Sequence, residues 1–206
     1  MNPRFEAAWE MHEFLTEHNI SYAIIGGTAL PRWGEPRFTK DVDLVVVTSL
    51  EEGVAPFVRL VLTRFASREE DAITFARENR VIKLTATNHC EVDVSLGMPG
   101  YEAEMLRRAV EYELKKGKSV RICSAEDLII LKCVAGRPQD LIDVEGVIAR
   151  QTRMLDVRYV REWLARFDEL LPEPHARDDF ERAWRAERRA ASKPARKPAK
   201  RVTRKR

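Results

Sequence analysis

The run Val42-Asp-Leu-Val-Val-Val47, with Asp41 just before it, constrains this chain more than any other stretch. Its β-branched content reads as a strand over 42–47. Successive side chains on a strand alternate faces, so Asp41 and Asp43 point the same way, a few ångströms apart. Two carboxylates so close repel unless something cationic sits between them. Hard oxygens suit a divalent metal such as Mg²⁺. An Asp-x-Asp alone is commonly a solvated strand edge, so its neighbours must decide between the two readings.

Upstream, Ser21-Tyr-Ala-Ile-Ile25 is a short strand closed by Gly26-Gly27, and a loop with Pro31, Gly34 and Pro36 follows. Two glycines at a strand end let backbone and ligand approach closely. A helix starting at residue 28 would point free N–H groups at a phosphate. A Gly-Gly pair alone is more often a turn. Gly26-Gly27-Thr28, then Arg37 and Thr39, then Asp41-Val-Asp43, is a combination that chance explains poorly.

A third carboxylate lies in Glu91-Val-Asp93-Val, where Glu91 and Asp93 share a strand face. In-line displacement at phosphorus with two metals needs carboxylates that bridge and flank both ions, and Asp93 is the candidate. Lys132 interrupts the apolar run Leu128-Ile-Ile-Leu131 and Cys133-Val-Ala135. A lysine there is costly unless it is paired, reaches a cleft, or snorkels to solvent. Arg137, Asp140 and Asp143 follow, and the two aspartates share one side of the next helix. A lysine near a triphosphate would neutralise charge that develops during transfer.

The remaining pattern is α+β. Helices are expected over 4–18, 53–66, 101–114, 125–135, 138–150, 157–170 and 178–191. Strands are expected at 72–76, 81–87 and 91–96 besides the two above. Ser124-Ala-Glu-Asp127 has the form of a capping box, and Pro138 suits a first helical turn. The sheet should be small, mixed and mostly antiparallel, with helices beside it and a C-terminal helical half. The expected divisions are a catalytic core over 1–100, a helical region over 101–191 completing the cleft, and a disordered basic tail over 192–206.

Charge sharpens that last division. The 206 residues hold 36 Lys+Arg against 33 Asp+Glu, a net +3. Arg182 to Arg206 alone holds 12 basic residues and one acid, Glu187, so the rest is acidic, with 24 basic residues against 32 acids. A basic tail suits a nucleic-acid backbone, without sequence preference, or simply keeps the chain soluble. No run approaches a membrane span, and Met1 to Trp9 lacks a signal h-region. Cys90, Cys123 and Cys133 form no CxxC, which argues against a disulfide framework and a structural zinc site. A reducing cytoplasm is the expected setting, with the cysteines as small core residues.

Gly26-Gly-Thr-Ala-Leu30 followed by Arg37-Phe-Thr39-Lys-Asp41-Val-Asp43-Leu44 resembles the signature of the polymerase-β-like nucleotidyltransferase superfamily. The later segment, with Lys132, Arg137 and Asp140-Leu-Ile-Asp143, is similar to the C-terminal motifs of the AbiEii-type toxins, the group that includes the MenT toxins. The resemblance covers roughly residues 20–150. It implies a nucleotidyltransferase fold and transfer of an NMP from an NTP to an acceptor hydroxyl, most plausibly on tRNA, with a cognate antitoxin. A small-molecule or protein acceptor, or a non-catalytic nucleotide-binding module, are the alternatives. It implies that Asp41 and Asp43 bind metal (two Mg²⁺, with Mn²⁺ as a substitute), and that Asp93 is a third ligand or the base. Gly26, Gly27, Thr28, Arg37, Thr39 and Arg137 would contact the nucleotide. Lys132 and Asp140 would be the later catalytic pair. AbiEii-type chains often carry a larger C-terminal helical part than this one, so the acceptor surface transfers least.

Overall fold

The computed structural model describes residues 2–48 and 53–191; the basic tail expected over 192–206 lies outside them. Helix α1 (Pro3–Glu17) opens on Asn2, whose side chain accepts from the Arg4 N–H at 3.1 Å. Strand β1 (Tyr22–Ile24) leads straight into α2 (Gly26–Trp33), and β2 is Asp41–Val47. Then come α3 (Val54–Val61), β3 (Ala66–Ser67), α4 (Ala72–Asn79), β4 (Val81–Thr85) and β5 (Glu91–Gly97). The chain continues through α5 (Tyr101–Arg108), β6 (Val110–Lys115), β7 (Lys118–Ile122), α6 (Ala125–Ala135), α7 (Pro138–Gln151), α8 (Val157–Asp168) and α9 (Ala176–Ala191).

The strands form one seven-stranded sheet in the order β3-β4-β5-β2-β1-β7-β6. β2 is parallel to β5, and β1 is parallel to β7; the other neighbours pair antiparallel. The sheet is therefore mixed and mostly antiparallel, as expected. Its hydrophobic positions, among them Ile24, Val42, Leu44, Ile82, Val92, Val94 and Ile122, are fully or almost fully buried. The three cysteines are buried and free.

Three expected elements are different in the structure. Residues 72–76 begin helix α4 rather than a strand: the Asp71 side chain caps the Thr74 N–H at 3.0 Å and takes its hydroxyl at 2.7 Å, and that cap outweighs the β-branched Ile73 and Thr74. The stretch after Gly27 is helical up to Trp33, with Pro31 inside the helix at the loss of one ladder bond. The helix expected over 101–114 stops at Arg108. From Val110 the burial alternates, with half-buried Val110, Tyr112 and Leu114 between exposed Glu111, Glu113 and Lys115. That period of two is a strand's. Gly117, at φ +78°, turns it into the hairpin partner β7.

Helix α6 is buried on almost every side and packs against α7, α8 and α9. α2 ties this helical layer to the sheet. The Trp33 indole N–H donates to the Cys123 carbonyl at 2.9 Å, and Gln151 and Arg150 of α7 donate to the carbonyls of Trp33 and Gly34 at 3.1 and 2.6 Å. Among the described residues, no helix is long and apolar enough to cross a membrane.

Candidate active site

The parallel pairing of β2 with β5 sets Asp43 opposite Asp93 and Asp41 opposite Glu91. Residues opposite each other share a face, so four carboxylates stand on one side of the sheet. Val42, Leu44, Val92 and Val94 fill the other side and are fully buried. The alternation that makes the strand thus also gathers the acids.

Each acid is held differently. The Thr39 hydroxyl donates to Asp41 Oδ1 at 2.6 Å. Asp43 packs against the start of α2: a β-carbon on Gly26 would lie 2.3 Å from Asp43 Oδ2, and one on Gly27 would lie 2.9 Å from the Thr39 β-carbon. Gly26 also sits at φ +62°, where a side chain is strained. The two glycines therefore let the helix start close against Asp43 and Thr39. Burial pushes the Asp43 carboxyl up to about 6, Asp41 and Asp93 push the same way, and Arg137 and Lys132 pull it back. Asp93 is also raised, by burial first, against the pull of Arg68.

Arg68 is the partner that the local sequence does not signal. Its Nε donates to the Leu84 carbonyl at 3.1 Å and its Nη1 to Glu91 at 3.1 Å, while Nη2 pairs with Asp93 Oδ1. Arg68 directly follows β3, and the pairing of β3 with β4 and of β4 with β5 brings it there.

A second cluster stands on α6 and α7. The Lys132 ammonium is buried and donates to Asp140 Oδ1 at 3.0 Å and Asp143 Oδ2 at 2.5 Å. Arg137 holds the other oxygen of Asp140 at 2.5 Å. Arg37 reaches across to Asp143 with Nε and Nη2, each at 3.0 Å. Burial alone would raise both aspartates; the cations around them outweigh it and hold both carboxyls below the ordinary range. Lys132 does not snorkel. Asp143 carries as much of this network as Asp140, and its spacing of three from Asp140 was the signal for it.

The expected residues thus fall into two facing groups, joined by the charges of Lys132 and Arg137 on Asp43. Several of their side chains are already committed. Thr28 is buried, with its hydroxyl on the Asp41 carbonyl at 3.4 Å, so it supports β2 and has only its backbone to offer a phosphate. Arg37 is spent on Asp143. Arg137 is 75% exposed and has the freer guanidinium.

Asp41 and Asp43 are hard oxygen donors on one face, which suits a divalent cation. Asp93 is drawn onto Arg68 in this arrangement. Among the described residues, no group of three or more His, Cys, Asp or Glu is gathered as a ready metal cage.

The family described as "Nucleotidyl transferase AbiEii toxin, Type IV TA system" matches residues 14–200. No curated protein sequence matches the chain. Among solved structures, the chain is similar to an antigenic nucleotidyltransferase-like protein from Paracoccidioides brasiliensis, at 19% identity over 90% of this chain and 94% of that one, with a TM-score of 0.49. It is also similar to the lincomycin-bound lincosamide antibiotic adenylyltransferase LnuA, at 9% identity over 69% and 94%, TM-score 0.47. A third is the Thermotoga maritima CCA-adding enzyme complexed with tRNA, at 13% identity over 90% and 50%, TM-score 0.39.

Proposed function

The chain belongs to the AbiEii nucleotidyl transferase toxin family, and from that membership we propose that it moves a nucleoside monophosphate from an NTP to a hydroxyl of tRNA, as the toxin of a toxin–antitoxin pair. Asp43 carries the reading. It shares one sheet face with Asp41 and Asp93, and its carboxyl is pushed to about 6. A perturbed carboxylate among carboxylates, beside a helix start, supports a site built for a cation and a phosphate.

Asp41 and Asp43 would hold a pair of Mg²⁺ ions, with Mn²⁺ as a substitute. Such ions draw negative charge off the transferring phosphoryl group. The first N–H groups of α2, beside Asp43, would hold the triphosphate, and Arg137 would add its charge. The acceptor oxygen attacks the α-phosphorus, and its proton passes to Asp93, whose Oδ1 is held by Arg68 and whose Oδ2 is left to receive it. The bond from the α-phosphorus to the bridging oxygen breaks, and pyrophosphate leaves. Lys132 acts through Asp140 and Asp143, fixing Arg137 and Arg37 at the rim. The eight Lys and Arg residues of 192–206, with no acid among them, support an RNA acceptor.

The test is a transfer assay with Mg²⁺, each labelled NTP in turn and total tRNA, beside Asp43→Ala. Label is expected on RNA only with Asp43 intact. NTP binding without any labelled RNA refutes the tRNA acceptor and moves the reading to a small molecule or a protein.

A further inference from the structure

Phe38 is the anomaly in the loop whose Arg37 and Thr39 reach the site. Its ring is 77% exposed. It meets no other ring or cation among the described residues and is not packed against the core. A single exposed aromatic is ordinary on a protein surface. Here the side chains on both sides of it are fastened to acidic residues of the site. Arg37, just before it, is locked on Asp143 and also donates to the Phe38 carbonyl at 3.3 Å. Thr39, just after it, donates to Asp41. The loop is therefore anchored at residues 37 and 39, and only the ring between them stands out into solvent. Next along the chain, Lys40 is exposed and makes no ion pair among the described residues.

We propose that Phe38 is a stacking platform for an unpaired nucleobase of the RNA acceptor, with Lys40 on the adjoining phosphate. This rests on the reading of the site as an RNA nucleotidyltransferase. Every base has a π-face, so one fixed ring grips a single-stranded end without reading its sequence. An ammonium two residues along the chain suits the backbone that carries that base. The ring's exposure favours the acceptor over the NTP. The triphosphate's ligands lie inward, at Asp41, Asp43 and the start of α2, whereas Phe38 faces what arrives from solution.

The experiment compares wild type, Phe38→Ala and Phe38→Trp in steady-state transfer, varying RNA and NTP separately. It adds a binding measurement, quenching of Phe38→Trp fluorescence by a short single-stranded RNA without NTP. Phe38→Ala is expected to raise KM for RNA by roughly 10- to 100-fold, the size of base–aromatic stacking. KM for NTP should stay unchanged, Phe38→Trp should restore the RNA value, and the RNA should quench its indole beyond the change given by a duplex. A rise in KM for NTP instead, or no change in either, overturns the proposal. If wild type labels no RNA but the single strand still quenches the indole, the platform stands and the transfer reading fails. If it labels RNA and quenching is absent, the platform alone fails.

Discussion

The carboxylate of Asp43 lies against the α-carbon of Gly26, so closely that a β-carbon there would come within 2.3 Å of Oδ2. The start of α2 and the middle of β2 therefore pack with no room for a side chain at residue 26. Gly26→Ala must both strain the backbone at φ +62° and displace Asp43. The expected cost is about 1–3 kcal/mol of stability, with transfer reduced by about 100-fold through misplaced ligands. Thermal melting and the transfer rate check both. Wild-type activity in Gly26→Ala would show that Asp43 does not need this seat.

Asp43 carries an energetic load of its own. Its carboxyl rises from 3.8 to about 6 in the fold. Between those values the native state keeps a proton that the unfolded chain has lost. Stability is thus fully present below about 3.8 and falls as pH rises through about 6, by on the order of 3 kcal/mol. Asp43→Asn should abolish transfer yet unfold at a higher urea concentration than wild type at pH 7.5. The gap should close at pH 3.5. Equal midpoints at pH 7.5 count against the raised carboxyl.

Lys132 is the opposite case, a buried cation that two carboxylates require. Lys132→Met leaves Asp140 and Asp143 with only Arg137, Arg37 and Gln139. Removing one partner from a buried ionic network costs about 3 kcal/mol or more. A urea midpoint close to wild type would mean that Arg37 and Arg137 suffice.

Arg68 is expected to set where Asp93 titrates. Burial raises the Asp93 carboxyl, and the guanidinium opposes that. In Arg68→Ala the carboxyl rises further, so the acidic limb of the pH profile of kcat/KM should move to higher pH. Arg68→Lys should move it less. An unmoved limb removes Asp93 from the role of base.

The carboxylates of β2 and β5 were legible in the sequence because a period of two and an apolar strand are local properties. Lys132 was legible because a charge in an apolar helix is conspicuous. Arg68 was not legible, because it meets Asp93 only through the pairing of β3 with β4 and of β4 with β5, across 25 residues of chain. Helix α4 was misread because Ile73 and Thr74 suggest a strand, while the deciding Asp71 cap is one side chain outside the pattern. The hairpin of β6 and β7 was missed because Tyr112 and Leu114 extend the apolar spacing of α5, and only Gly117 marked the turn.

β2 lies at the centre of the sheet. It is the fourth of seven strands, with three on either side. Amides in such a strand exchange with solvent only when the whole domain opens. Fraying an edge of the sheet therefore leaves Asp43 in place. Were the chain the toxin proposed above, a partner opposing it by unravelling this strand would have to supply the free energy of the entire fold, whereas one that covers the carboxylates would not.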